Sequence, residues 1–237
     1  MKKFIKIISL VLVLALAAAV FAACGKKDDD VPGDGPIEGG WSFSNKAVND
    51  LTEDEKAVFD EAMKEFVGSD LAPKSVVATQ VVSGMNYAFL CVSTPVVPNP
   101  QSHWSLVIVY KDLGGNVELM GIEDIDGANV KTLANTADEL PGGWIVDEKD
   151  ERFSISEAVD GALGRNLGVS LSPVAVLATQ VVAGTNYRIL ARGTTVTATP
   201  VTSLYVVDVY ASLDGSAEIT SVNVFDLLSY INAATAK

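Results

Sequence analysis

Three side chains in this 237-residue sequence offer covalent or acid–base chemistry on their own: the single histidine, His103, and the two cysteines, Cys24 and Cys91. A catalytic histidine needs a nucleophile or an orienting carboxylate held beside it by the fold. His103 instead opens an alternating strand-like stretch, His103-Trp-Ser-Leu-Val-Ile-Val109, where a histidine reads as structural or solvated. Cys91 fails as a nucleophile on parity. One hundred residues later Arg188 and Arg192 mark the exposed face of the equivalent strand, so Ile189 and Ala191 point inward and Cys91 takes the inward position of Ala191. It reads as a small core residue. Histidine–carboxylate clusters at metal-ligand spacing, a phosphate-binding glycine loop and a nucleophile elbow are absent from the sequence. The chain reads as a non-enzyme, with no cofactor and no metal expected.

The elements that would position any binding surface are dominated by a duplication. Ala78-Thr-Gln-Val-Val-Ser-Gly-Met-Asn-Tyr87 recurs as Ala178-Thr-Gln-Val-Val-Ala-Gly-Thr-Asn-Tyr187, with two changes. Each copy is an apolar strand that runs into a glycine turn and leaves as a second strand, the signature of a hairpin tip.

The Gln-x-Val-x-Gly core, Gln80-Val81-Val82-Ser83-Gly84 and Gln180-Val181-Val182-Ala183-Gly184, resembles the first inhibitory hairpin of the cystatins, protein inhibitors of papain-like cysteine proteases. The second copy is most similar to the stefin branch. That resemblance implies a wedge of three elements at one end of a sheet: a glycine trunk, the first hairpin tip and a second hairpin tip. Residue by residue, the trunks would be Gly39-Gly40 and Gly142-Gly143, and the second tips Leu113-Gly114-Gly115 and Leu213-Asp214-Gly215. Family members carry a proline in the second tip, which both copies lack, and Asp214 places a carboxylate where an apolar contact is expected. The residue types suit the task. Glycine lets a tip turn with positive φ, Ser83 or Ala183 keeps it narrow, and the valines and leucines supply apolar contact without a charge to desolvate.

The N-terminus reads as a targeting segment. Lys2, Lys3 and Lys6 precede an apolar run from Ile7 to Val20, and Phe21-Ala-Ala-Cys24 resembles a lipobox, so residues 1–23 read as a lipoprotein signal peptide with Cys24 as the lipidated first residue. The alternatives are a plain signal peptide or an uncleaved anchor, because Phe21 stands where an aliphatic residue is usual. Cleavage removes three of the 17 basic residues and no acidic one, leaving 14 against 30 and a net charge of −16. Such a chain repels phosphate backbones, which argues against nucleic acid as a partner. Residues 24–38 are polar and turn-rich and read as a flexible tether. With Cys24 given to lipid, Cys91 has no disulfide partner.

Beyond the tether, Trp41 and Phe43 alternate with serines as a short strand. Thr52 and Glu55 form a capping box ahead of a stripe at Phe59, Ala62, Met63, Phe66 and Val67, which predicts an amphipathic helix ended by Gly68. Strands are expected over 75–82, 86–92, 104–111 and 117–123, with a proline-rich loop at 95–101. The second repeat retraces this, with a capping box at Ser154 and Glu157, a helical stripe at Ala158, Val159, Ala162, Leu163 and Leu167, and strands over 174–182, 186–191, 203–211 and 217–225. Residues 227–231 form an apolar extension without an assigned place.

The expected fold class is α+β: two tandem cystatin-like domains, 39–126 and 140–237, each an antiparallel β-sheet wrapped across one α-helix, joined by a linker at 127–139. The resemblance implies a reversible, tight-binding inhibitor of papain-like cysteine proteases, monomeric and lipid-anchored on the extracytoplasmic side of a membrane. The competing reading is a non-inhibitory cell-surface binding or scaffold lipoprotein that retains the same fold, since fold does not fix function.

Overall fold

Every residue from Ala88 to Val92 is apolar and buried, so this strand has no polar face to give to water. Both of its faces must be covered, one by a helix and the other by a second sheet. The computed structural model describes residues 40–100, 102–125, 143–146 and 155–236, which belong to one compact unit. The signal segment, the tether and the 127–139 linker lie outside the described residues.

Strands β1 (Trp41–Phe43), β2 (Ser69–Val82), β3 (Gly84–Pro95), β4 (His103–Asp112) and β5 (Val117–Asp124) form an antiparallel sheet in chain order, with helix α1 (Glu53–Met63) between β1 and β2. The second repeat builds the same sheet from β6 (Trp144–Ile145), β7 (Val169–Val182), β8 (Gly184–Thr195), β9 (Thr202–Ser212) and β10 (Ala217–Phe225), with α2 (Glu157–Gly164) between β6 and β7. A third helix, α3 (Leu227–Thr235), ends the chain. Val76, Phe89, Cys91, Val107 and Val109 pack with Val58 and Phe59 of α1. Val176, Ile189, Val207 and Val209 pack with Val159, Ala162 and Leu163 of α2. The opposite faces meet in one core, in which Val77, Leu90, Leu106 and Ile108 join Val174, Leu177, Leu190 and Val206.

This corrects the expected fold class. The structure is mostly β, with 54% in strands and only short helices, and it is not a pair of domains each made of a sheet wrapped across its own helix. The misreading turns on Arg188 and Arg192, which signal a solvent face in the sequence. Arg188 shares the face of the core residue Leu190, and its guanidinium grips Asp208 on the neighbouring strand (Nε to Oδ1, 2.7 Å) while lying 4.9 Å over the Trp144 ring. A charge whose partner stands on the next strand can occupy a covered face; in the first repeat the corresponding pair is Ala88 opposite Ile108.

Backbone bonds join the repeats. Val48 N donates to Val174 O (2.8 Å), and the next amide, Asn49 N, donates to Lys74 O (2.7 Å), so one short segment fastens to equivalent carbonyls in both sheets. Those carbonyls lie at β-bulges, where the register shifts after Pro73 and after Pro173. The bulge also lets β2 run back to Ser69 through Pro73, beyond the strand start expected at Ser75, because a missing ladder donor is tolerated there. The apolar extension becomes α3, capped by Asp226 and packed on the first sheet: a Cβ on Gly121 would run into the carbonyl of Ala234.

The first capping box forms as expected, with Thr52 N donating to Glu55 Oε2 at 2.8 Å. In the second repeat Ser156 is the N-cap, accepting from Val159 N, and Ser154 lies outside the described residues. Both helices stop before the ends of their predicted stripes, leaving Val67 and Leu167 exposed at 86% and 92%.

Candidate functional site

The hairpin tips are built by strand register. Val82 pairs with Gly84 across Ser83 alone, and Val182 with Gly184 across Ala183. Gly84 (φ 142°) and Gly184 (φ 131°) take a backbone conformation that side chains resist. On the other side Gly84 pairs with Asp112 and Gly184 with Ser212, which sets each second tip beside the first. The register of β1 runs from Trp41 opposite Gln80 to Phe43 opposite Ala78, so the chain enters from the tip end with Gly40 ahead of it. Trp144 opposite Gln180 places Gly143 likewise. Gly39 and Gly142 lie outside the described residues, as does Cys24.

Each repeat therefore collects its trunk glycine, first tip and second tip along one end of its sheet. Apolar side chains are presented there beside the exposed polar groups of the turns: Val81 and Val82 are each 41% exposed, Val181 64%, Leu113 87% and Leu213 84%. Apolar side chains held in water at the ends of rigid strands are a surface suited to burial against a partner.

The polar groups of this edge are engaged locally. Gln80 Oε1 accepts from Asn86 Nδ2, and Gln180 Oε1 from Asn186 Nδ2, both at 2.7 Å. In the second tips Asp112 accepts from Asn116 N (2.8 Å) and Asn116 Nδ2 (2.6 Å), and Asp214 Oδ1 from Ser216 N (2.9 Å) and Ser216 Oγ (2.7 Å). The side-chain bond from Asn116 and the one from Ser216 are the main reasons these carboxyls sit below the ordinary aspartate range. Asp214 is thus a turn-forming residue whose carboxylate already holds donors. Two residues that sequence reasoning passed over complete the edge: Tyr110 Oη donates to Ser83 O at 2.7 Å and Tyr210 Oη to Ala183 O at 2.5 Å. Their recurrence at the same hundred-residue offset as the tips is the signal that would have found them.

The reactive side chains are placed elsewhere. Cys91 is fully buried against α1, and burial pushes its thiol well above the ordinary range, which keeps it protonated. His103 Nε2 and Ser105 Oγ both meet Asp124 Oδ1, at 3.0 and 3.1 Å. The three residue types are those of a hydrolytic triad, but serine and histidine converge on the same carboxylate oxygen instead of on each other, as activation of the serine requires. Among the described residues no group of His, Cys, Asp or Glu is placed to hold a metal ion, and no helix is long and apolar enough to cross a membrane.

No protein-family model matches the chain, and no curated protein matches it.

Proposed function

We propose that the chain is a reversible inhibitor of papain-like cysteine proteases, held by a lipid on Cys24 at the extracytoplasmic side of a membrane, with the tip edge of each repeat as the surface that enters the protease cleft. The observation that carries this reading is the gathering of glycine trunk, narrow first tip and leucine-bearing second tip along one end of each sheet, in two copies. It rests on that edge and on the resemblance of Gln80–Gly84 and Gln180–Gly184 to the cystatin hairpin, not on the expected domain architecture.

The physical case is occlusion without reaction. A cleft that must accept extended peptide is matched by a thin edge of backbone and aliphatic side chains. Sheet registers fix that edge before binding, so little ordering entropy is lost in the complex. The test is titration of papain and related proteases with the mature protein. Competitive inhibition with the inhibitor recovered uncleaved is expected, and full protease activity at stoichiometric excess across several papain-like enzymes overturns the proposal.

A second reading is favoured by a different surface. At the far end of the sheets Val67, Val96 and Val97 are exposed in the first repeat and Leu167, Val196 and Val201 in the second. These residues have no part in the tip edge and suit a non-inhibitory surface binding module. Substitution of the far-end valines with threonine leaves protease inhibition intact under the first reading.

A further inference from the structure

We propose that Tyr110 and Tyr210 are positioning residues that latch each first hairpin tip into the shape its partner engages. The inference rests on the tip edge being the protease-binding surface.

Strand pairing brings Val82 to Gly84 and Val182 to Gly184, but it leaves the turn residue between them outside the ladder. Ser83 and Ala183 are exposed, as are the valines that precede them, so no core packing fixes the turn. A loop of one residue between paired strands leaves the carbonyl of Ser83 or Ala183 projecting at the end of the hairpin. From the adjacent strand a tyrosine hydroxyl reaches that carbonyl in both repeats. The ring takes part as well. A Cβ built on Gly84 or Gly184 would lie 2.3 or 2.4 Å from the carbonyl oxygen of Lys111 or Ala211 and 2.9 Å from Cε2 of Tyr110 or Tyr210, so the neighbouring strand's backbone and the aromatic ring together occupy the space that the missing side chain leaves free. Glycine and tyrosine form one unit: the glycine admits both the positive φ and the ring, and the ring aims the hydroxyl.

The bond goes to a backbone carbonyl, so it is indifferent to the change from Ser83 to Ala183. It persists while the flanking residue changes from Met85 to Thr185. The register adds a second brace, because Tyr110 stands opposite Asn86 and Tyr210 opposite Asn186, the asparagines that bond Gln80 and Gln180. Fixing the tip before encounter lowers the ordering cost of binding, so loss of the hydroxyl acts on affinity through the free protein and not through a lost contact to the partner.

The test uses the mature full-length chain with Tyr110→Phe, Tyr210→Phe and both together. Three quantities are read: the unfolding temperature, hydrogen exchange at the amides of residues 83–85 and 183–185, and inhibition of papain. The latch predicts an unchanged unfolding temperature, faster exchange at the affected tip only, and inhibition weaker by roughly threefold to tenfold in the double variant, the worth of one hydrogen bond. Exchange that stays the same in the variants overturns the proposal, because the hydroxyls then do not hold the tips. Faster exchange with undiminished inhibition overturns it too. Should the unsubstituted protein fail to inhibit, the inhibitor reading falls by itself, and the exchange measurement still decides whether the tyrosines order the tips. If the double variant unfolds, each single variant is judged against its own unaltered tip.

Discussion

The indole nitrogen of Trp104 donates a 2.8 Å hydrogen bond to the backbone carbonyl of Leu177, fastening the middle of one repeat's sheet to the middle of the other's. The position one hundred residues after Trp104 is Leu204, which has no donor, so the tie is made once and the two repeats are not interchangeable at their shared core. Trp104→Phe keeps the aromatic bulk and leaves that carbonyl without its donor, at a cost of about 1–3 kcal/mol. Its unfolding temperature should fall while both sheets still melt together. Two separate transitions in the unsubstituted protein, followed by circular dichroism and by tryptophan fluorescence, would speak against a common core.

Arg188 and Asp208 make the complementary test. Removing the arginine alone strands a largely covered carboxylate that keeps only Ser221 Oγ, at 3.0 Å, as an observed donor, and should cost about 3 kcal/mol. Replacing the pair with the residues of the first repeat, Arg188→Ala with Asp208→Ile, should recover most of that loss. Denaturant unfolding of the single and double variants reads both effects, and a double variant no more stable than the single one would show that the pair does not act as a unit.

Gly184→Val places a branched side chain at φ 131°, 2.4 Å from the Ala211 carbonyl oxygen and against the Tyr210 ring, so the first tip of the second repeat keeps neither its turn nor its pairing with β9 at that point. Inhibition by that repeat should be lost, with some loss of stability because the β8–β9 pairing opens at the tip, and circular dichroism should show the rest of the fold retained. Gly84→Val should do the same to the first repeat. If the protein carrying both substitutions inhibits papain as the unsubstituted chain does, the tips are not the contact surface.

The second tips should loosen in acid. Asp112 and Asp214 have carboxyls lowered below their ordinary 3.8, first of all by side-chain bonds from Asn116 and Ser216. A lowered folded-state value means that the ordering they supply is present above 3.8 and is lost as pH falls through the folded-state value beneath it. Titration of the Asn116 and Ser216 amide shifts should therefore give midpoints below 3.8. Midpoints at or above that value would mean that the carboxylates are not held.

Cys24→Ala should move the protein from the membrane fraction to the soluble extracytoplasmic fraction, since the lipid is the proposed anchor. Retention in the membrane pellet would favour an uncleaved signal over lipidation.

Local chemistry was legible from the sequence where it is short-ranged. The capping box of Thr52 and Glu55 and the glycine turns at Gly84 and Gly184 each depend on residues a few positions apart, and each forms; Cys91 is buried as expected, but in a strand covered on both faces and not by alternation with a solvent face. The pairing of trunk, first tip and second tip follows from antiparallel strands in chain order. Tertiary structure alone decided what lies against the second face of each sheet. Arg188 reads as solvent-facing until Asp208 on the neighbouring strand and the Trp144 ring are placed around it, and nothing local says that Val48 and Asn49 will bond bulge carbonyls in two different sheets. The extension at 227–231 had no place in the sequence because the surface that receives it, Gly121 with its missing side chain, lies more than one hundred residues earlier in the chain. A hydrophobic face announces that it will be buried; which partner buries it is a property of the assembled core.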